Sequence, residues 1–212
     1  MINILLLLTL LLSTAQANFG TFKDGKFIYP GSSAPYTGSL EIFNEEWGDN
    51  VIEFSKDYVN GVLHGTESTY YQSGRLKSVG KFNQGKLDGV VMSYYEDGTI
   101  QVAGDFNDGT KQGRVIHYYF DGSKQLEQFY NNNELHGLHR AWYENGNLMK
   151  SIPYSKGLVH GMVEVFYETG GVFERIKYDY GTPKYITTYN EDGSVAEQKG
   201  WIDKKLIKRI IG

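Results

Sequence analysis

The sequence predicts an all-β fold: an elongated antiparallel meander of stacked β-hairpins that ends in a short amphipathic helix. Three observations predict it. Glycines recur every 24 residues, and aromatic residues recur with the same period. The runs between these glycines are short and rich in Tyr, Val, Thr and Phe, as half-buried strands are. A fixed period of this length is typical of a repeat array, in which each unit packs only against its neighbours.

Three series of glycines keep this period between Tyr58 and Gly181. In two of them the glycine follows Asp, Asn, Gln, Ser or a similar polar residue, which is a hairpin signal. Asn133 fills the one gap, because Asn tolerates a positive φ better than most residues. We predict structural turn roles for Gly65, Gly74, Gly85, Gly89, Gly98, Gly109, Gly113, Gly122, Gly137, Gly146, Gly157, Gly161, Gly170 and Gly181.

Each of these turns is predicted to be a three-residue loop, a type I turn followed by glycine in the left-handed conformation. Such a loop places Tyr70 opposite Leu76, and at the next turn it places Phe82 opposite Lys86. Alternation along the strands then gathers one apolar face. The predicted members of this core face are Tyr70, Leu76, Phe82, Val90, Met92, Tyr94, Ile100, Val102 and Phe106.

The opposite face is predicted to be mostly polar, except for a tyrosine that precedes one turn in every repeat. Tyrosine offers a large amphipathic contact area at a low entropic cost and is enriched at binding hot spots. We therefore predict that these tyrosines bind a protein partner. The alternative is a structural role, in which they pack across strands against the next repeat. This tyrosine ladder consists of Tyr71, Tyr95, Tyr119, Tyr143 and Tyr167.

Residues 1–17 have the pattern of a signal peptide, with an apolar run from Ile4 to Leu12 and an Ala15-Gln16-Ala17 cleavage site. We expect cleavage after Ala17 and export to the periplasm or beyond. The alternative is an uncleaved anchor, although the apolar run is short for crossing a bilayer. The chain has no cysteine, which excludes disulfides, thiolate metal sites and cysteine nucleophiles.

The rest of the chain divides by how well it keeps the period. Residues 18–57 are predicted to be degenerate capping repeats, 58–181 regular repeats and 182–200 a degenerate C-terminal repeat. Residues 201–212 form a basic tail with apolar residues four apart, which predicts the short helix. The helix either covers the last strand edge or contacts a membrane surface.

Charge and motifs exclude several functions. The formal net charge is −4 even though residues 201–212 are basic, so nucleic acid and anionic lipid are poor partners for the sheet. Membrane contact is expected only through the tail. The sequence contains no nucleophile elbow, phosphate loop or calcium loop. We therefore expect neither an enzyme nor a cofactor.

The histidines do not predict a metal site. His64, His136 and His160 occupy one repeat position, so they are expected about 9–10 Å apart, too far to share a metal ion. His117 and His139 fall on the predicted polar face, but at offset positions in adjacent repeats.

The pattern Tyr-Tyr-x-x-Gly-x-Leu…Phe-x-x-Gly-x-Leu-x-Gly over residues 70–89, together with Pro35-Tyr36-Thr37-Gly38, resembles the MORN-repeat variant family of bacteria. The likeness extends from about Phe22 to Gly193. It implies a non-catalytic β-meander used for binding, and relatives include antitoxin-like and exported proteins. We therefore predict a periplasmic protein that binds a protein partner, most concretely a toxin that it neutralises. The alternative is an envelope or surface scaffold that binds lipid or glycan.

Overall fold

The computed structural model describes residues 20–48 and 50–200. These residues form antiparallel strands joined in chain order by tight turns, and none of them is helical. The predicted signal peptide and the predicted C-terminal helix lie outside the described residues. The predicted fold class is therefore corrected to an all-β antiparallel meander of stacked hairpins, with no helix in the part of the chain that the structure describes.

The strands belong to two compact units. Unit 1 comprises the described residues of Met1–Ile100 and Phe106–Gly109, and unit 2 those of Gln101–Asp105 and Thr110–Gly212. Strand β9 (Ile100–Asn107) has residues in both units. The other strands of unit 1 are β1 (Thr21–Lys23), β2 (Lys26–Ile28), β3 (Gly38–Phe43), β4 (Ile52–Val59), β5 (Val62–Tyr70), β6 (Leu76–Asn83), β7 (Lys86–Leu87) and β8 (Gly89–Tyr94). Those of unit 2 are β10 (Thr110–Tyr118), β11 (Lys124–Asn131), β12 (Glu134–Leu135), β13 (Gly137–Trp142), β14 (Leu148–Ser155), β15 (Leu158–Val159), β16 (Gly161–Phe166), β17 (Val172–Asp179), β18 (Thr182–Tyr189) and β19 (Val195–Lys199).

Two kinds of turn alternate along the chain, where the sequence predicted one. In the turn between β5 and β6, Tyr71 donates its N–H to the Arg75 carbonyl and Gly74 donates to the Tyr71 carbonyl, as in the predicted three-residue loop. The next turn is a two-residue loop, with φ of 48° at Gln84 and 82° at Gly85. Two successive positive φ angles define a type I′ turn, whose twist matches that of the strands it joins.

The two-residue turn changes which side chains are buried. Phe82 faces Leu87 rather than Lys86, so the predicted register was wrong at this turn. A one-residue slip moves the side chains of the next strand to the other face of the sheet, whereas Val102 and Phe106, beyond the following turn, are buried as predicted. Val91 is accordingly 2% exposed, whereas Val90, predicted for the core, is 46% exposed. Ile100, also predicted for the core, is 36% exposed.

One glycine series and one aromatic series are explained together by the register. The aromatic residue that precedes a two-residue turn lies directly opposite a glycine in the first half of the preceding long strand. A ring covering a glycine backbone is a recognised way to stabilise a strand that lacks a side chain. The pairs are Gly65 with Phe82, Gly113 with Tyr130, Gly137 with Tyr154 and Gly161 with Tyr178.

Each unit has its own hydrophobic cluster. In unit 1 the ring of Phe27 stacks on that of Tyr58 at 5.0 Å between centroids, and both pack with Leu40 and Ile42. Phe27 comes from β2, which pairs only with β1, so a hairpin outside the main sheet contributes to this core. The cluster of unit 2 consists of Ile152, Val159, Val163, Ile176, Tyr178 and Ile186.

Candidate partner-binding surface

The structure places the tyrosine ladder at the start of the three-residue loops. Each ladder residue donates its N–H across the loop and accepts the N–H of the loop glycine at its own carbonyl, as Tyr143 does with Asn147 and Gly146. All five tyrosines are half-buried. The same local sequence, Tyr-x-x-Gly, therefore both forms the turn and fixes the tyrosine beside it.

The ladder hydroxyls connect successive repeats. Four of the five tyrosine hydroxyls donate a hydrogen bond of 2.6–2.8 Å to a backbone carbonyl of the next repeat. Burial raises the pKa of the Tyr71 and Tyr119 hydroxyls, with Glu96 and Glu144 adding to the effect, so both stay protonated donors. The donor and acceptor pairs are Tyr71 with Tyr94, Tyr119 with Trp142, Tyr143 with Phe166 and Tyr167 with Tyr189.

These bonds give the ladder a structural role, and its part in partner binding stays a prediction. Cationic side chains lie over rings in and beside the ladder: the Lys77 ammonium is 5.5 Å from the centre of the Tyr71 ring, and that of Lys124 is 5.7 Å from the Trp142 ring. Tyr167 packs edge-on against Phe173 with 5.0 Å between ring centroids. The half-exposed surface around the ladder is thus aromatic and cationic.

In unit 2 an apolar stripe lies on the face of the sheet opposite the core. Ile152 and Val163 are buried on the core face. Because successive side chains alternate between faces, their neighbours Pro153 and Met162 lie on the opposite face. Both remain partly accessible to solvent, as do Phe129 and Leu138 on the two neighbouring strands. The stripe consists of Phe129, Leu138, Pro153 and Met162.

A cluster of charges adjoins this stripe. Glu127 is 5% exposed, and its carboxylate forms ion pairs with three cationic side chains. The nitrogen-to-oxygen distances are 3.4 Å to Arg114, 3.3 Å to Lys124 and 3.6 Å to Arg140. Our sequence prediction missed this Glu127 cluster. One signal was available: residues one period before and after Glu127 are Ala103 and Ser151, so a carboxylate departs from the repeat at this position.

His117 and His139 lie on the core face, not on the polar face predicted for them. His139 is directly opposite the buried Ile152, and its Nδ1 lies 3.3 Å from Nε2 of Gln128. Burial lowers the pKa of His139 to about 4, with help from the charges of Lys150 and His117. Burial also lowers the pKa of His117 and of Lys150. Their surroundings therefore disfavour the protonated form of all three groups.

The other repeated histidine position caps the two-residue turns. The N–H of Gln84 points to Nδ1 of His64 at 3.4 Å, and the N–H of Tyr180 points to Nδ1 of His160 at 3.3 Å. In another repeat the N–H of Asn132 donates to the side-chain amide oxygen of Gln112 at 3.0 Å. An acceptor at this position satisfies the N–H of the turn, which explains why both His and Gln occur there. Within the described ranges, no three His, Asp or Glu side chains converge as ligands of a metal ion would.

The glycines predicted for turns all have a positive φ. One series lies in the three-residue loops and another in the two-residue turns, whereas Gly65, Gly113 and their equivalents open strands or lie within them. Among the described residues, no helix has the length and hydropathy to cross a membrane.

Comparison with known proteins identifies the repeat. A family model of the MORN repeat variant matches the chain at residues 63–84, 87–108 and 135–156. In the structure, the first of these segments runs from β5 to the two-residue turn after β6, which is one full hairpin repeat. A search of curated proteins finds no match to this chain. Proteins built from these repeats are generally not enzymes.

Proposed function

Because three segments carry MORN-variant repeats, we propose that this protein is an exported, non-catalytic repeat protein that binds a protein partner. In its most concrete form, the proposal is that the protein is an antitoxin or immunity protein that neutralises a toxin in the periplasm. The contact surface comprises the rings of the tyrosine ladder and the apolar stripe of unit 2. The observation that carries the proposal is the anchoring of the ladder hydroxyls, because it holds half-exposed rings in fixed positions.

Fixed rings favour binding. A flexible aromatic side chain loses conformational freedom when a partner immobilises it, and this loss reduces the affinity. The hydroxyl of Tyr143 is already bonded to the Phe166 carbonyl at 2.8 Å, so its ring pays little of that cost. A structural role for the hydroxyl and a binding role for the ring are therefore compatible in the same residue.

The chemistry of the surface favours a protein partner. Half-buried apolar side chains rimmed by arginine and lysine resemble the composition of protein interfaces, which are enriched in aromatic residues, Met and Arg. The formal net charge of −4 opposes nucleic acid and anionic lipid at long range. A lipid- or glycan-binding scaffold is therefore the weaker proposal for the sheet.

The export part of the proposal rests on residues 1–17. We expect the protein recovered from the envelope fraction of a bacterial host to begin at Asn18, because a signal peptidase would cleave after Ala17. Mass spectrometry of the intact protein measures this directly. A protein that stays in the cytoplasm with Met1 retained would contradict the export.

Binding through the ladder is tested with two double variants at Tyr119 and Tyr143. Replacing both by Phe removes the hydroxyl bonds and keeps the rings, whereas replacing both by Ala removes the rings as well. Each variant is first checked by circular dichroism for a folded sheet. We expect an immobilised Phe variant to retain a partner from an envelope extract that the Ala variant does not retain. Equal capture by both folded variants would exclude the ladder rings from the contact.

The immunity role needs a separate measurement. The captured protein, expressed alone and directed to the periplasm, should stop growth, and co-expression of this chain should restore it. Failure of the chain to restore growth would leave a binding protein without an immunity role. Retention of lipid or glycan instead of protein would favour the scaffold.

A further inference from the structure

The Glu127 cluster gathers more positive charge than its carboxylate can neutralise. Arg114, Lys124 and Arg140 all lie within 3.6 Å of a Glu127 oxygen. A single carboxylate compensates a single cation, so the cluster carries an excess of positive charge. The three cationic side chains are 53%, 44% and 38% exposed, whereas the Glu127 side chain is 6% exposed. The excess charge is therefore presented to solvent, and the carboxylate that organises it is not.

The cluster is built by the register of the sheet. Glu127 lies directly across from Arg140, and Arg114 is two residues along β10 from Ile116, the other cross-strand partner of Glu127. Side chains two residues apart on a strand share a face, so both arginines lie on the face of Glu127. The register shifts between His117 and Tyr118, opposite Gln125, and this irregularity brings Lys124 within reach of the same carboxylate. The same register shift accompanies the three-residue loops of other repeats, so it is part of the turn and not specific to this cluster.

Another ion pair on the same face of unit 2 provides a contrast. Arg175 donates to Glu164 at 2.9 Å, and these two side chains are 44% and 32% exposed. There, one cation meets one carboxylate. The excess of charge is therefore a property of the Glu127 cluster and not of every ion pair on this face.

The surroundings of the cluster are apolar and aromatic. Lys124 lies over the Trp142 ring, and the Trp142 carbonyl accepts the hydroxyl of Tyr119 from the ladder. On its other side the cluster adjoins the apolar stripe, since Phe129 and Leu138 are two residues from Glu127 and Arg140 on the same strands. Cationic and apolar groups next to each other complement a segment that carries both carboxylates and apolar side chains.

We propose that Arg114, Lys124 and Arg140, held together by Glu127, form an anion-binding site that takes carboxylates of an acidic, partly apolar segment of the protein partner. This inference rests on the proposed function, because it states the chemistry of the partner at the same surface. Arginine binds a carboxylate through two parallel hydrogen bonds, which gives direction as well as charge. An anionic membrane is less suited than a peptide, because the remaining negative charge of the protein opposes a broad anionic surface.

The test uses the purified protein and a short fluorescent peptide that alternates glutamate and leucine, with fluorescence anisotropy as the readout. We expect Arg140→Gln to weaken peptide binding by about tenfold, as expected when one partner of a close charge pair is removed. The matched control is Arg175→Gln, which removes the same charge from a similarly exposed arginine on the same face. We expect the control to change the affinity less than twofold. Equal weakening by both substitutions would overturn the proposal, because net charge alone would then explain the binding.

Glu127→Gln separates positioning from charge. This substitution makes the protein more positive, so a purely long-range attraction would bind the acidic peptide more tightly. If Glu127 positions the three cations, the same substitution weakens binding instead. We expect weaker binding, measured on protein whose thermal unfolding shows that it is folded. Tighter binding would overturn the positioning role of Glu127.

Two further experiments complete the test. One distinguishes a protein from a membrane as the source of the anionic group, and the other separates failure of this inference from failure of the proposed function. Vesicles containing anionic phospholipid should not compete with the peptide, and competition by them would replace the protein partner with a membrane. The envelope pull-down is independent of the peptide. Loss of peptide binding in Arg140→Gln without loss of partner capture would overturn this inference and leave the proposed function standing.

Discussion

Units 1 and 2 use the same repeat but fill its core face with different chemistry. In unit 1, the buried hydroxyls of Thr69 and Ser78 form a hydrogen bond of 2.6 Å. In unit 2 the residue two periods after Thr69 is His117, and the residue three periods after Ser78 is Lys150. Unit 1 also receives an aromatic cluster around Phe27, from a hairpin outside the repeats.

This difference shows what holds the repeat together. Both units have the same bonds between repeats at the two ends of their strands: tyrosine hydroxyls donate to backbone carbonyls at one end, and the N–H groups of the two-residue turns donate to backbone carbonyls at the other. In unit 1 the Gly85 N–H donates to the Leu63 carbonyl, and in unit 2 the Gly181 N–H donates to the Val159 carbonyl, each at 2.7 Å. Because these bonds use backbone carbonyls as acceptors and none of the core side chains that differ between the units, the register tolerates either set.

The largest expected effect concerns the aromatic cluster of unit 1. A Cβ at Gly61 would lie 2.8 Å from the Phe27 carbonyl oxygen, and Gly61 has a φ of +74°. Gly85, at the same repeat position, has a φ of +82° but no atom nearer than 3.7 Å. We expect Gly61→Ala to destabilise the protein by about 2–5 kcal/mol, from backbone strain plus steric overlap, and Gly85→Ala by about 1–2 kcal/mol from strain alone. Urea unfolding measures both, and equal losses would contradict the steric account.

The next largest effect is a loss of stability at acidic pH, which arises from His139 in unit 2. His139 has its pKa lowered from 6.5 to about 4 in the folded state. Above pH 6.5 the group is neutral in both states and contributes nothing. As the pH falls from 6.5 towards 4, the unfolded chain takes up a proton that the folded protein does not, so stability decreases by at most about 1.4 kcal/mol per pH unit.

His139→Gln should remove part of this pH dependence. The free energy of unfolding is measured by urea titration at several pH values between 4 and 7. His64, the histidine of unit 1, is exposed on the sheet and provides the control. A slope reduced as much by His64→Gln as by His139→Gln would place the dependence elsewhere.

Two hydroxyl deletions in unit 2 should have opposite signs. Tyr178 is 1% exposed, and its hydroxyl has no hydrogen-bond partner among the residues that the structure describes. Tyr178→Phe should therefore stabilise the protein by about 1 kcal/mol, because a buried polar group without a partner is unfavourable. Tyr143→Phe removes a bond to the Phe166 carbonyl and should destabilise it by about 1 kcal/mol. Differential scanning calorimetry should show Tm shifts in opposite directions, and a lower Tm for Tyr178→Phe would refute the first expectation.

The smallest effect tests the hydroxyl pair of unit 1. Thr69→Val alone leaves the Ser78 hydroxyl buried without its partner and should cost about 1 kcal/mol. The double variant Thr69→Val with Ser78→Ala removes both hydroxyls and should recover most of that loss. Thermal unfolding of the wild type, both single variants and the double variant gives the coupling energy directly. A double variant whose loss is the sum of the two single losses would show that the pair is not coupled.

Much of the fold follows from sequence periodicity, because glycines with positive φ and paired aromatics are local requirements. The three-residue loop at Gly74 was predicted correctly on that basis. The type I′ turn at Gln84-Gly85 was not, because Asn or Gln before glycine fits a loop of two residues as well as one of three. That one-residue difference reversed the predicted faces of Val90 and His139.

The candidate site was less predictable. The spacing of the ladder tyrosines was plain in the sequence, but the acceptors of their hydroxyls lie one repeat away and depend on how the repeats stack. The Glu127 cluster joins three strands and needs a bulge to include Lys124. Pairings of that kind are set by tertiary register, which a sequence pattern specifies only when the loops on both sides are known.

The inter-repeat bonds have a consequence for how such a protein can change in length. The Tyr119 hydroxyl bonds a carbonyl 23 residues ahead, and the Gly157 N–H bonds one 22 residues behind. Both spans fall within one period of 24 residues. An in-frame duplication or loss of one whole period therefore preserves every donor and acceptor at the junction. Gene rearrangements that respect the period can lengthen or shorten the array without new compensating mutations, whereas a gain or loss of a few residues would separate these partners.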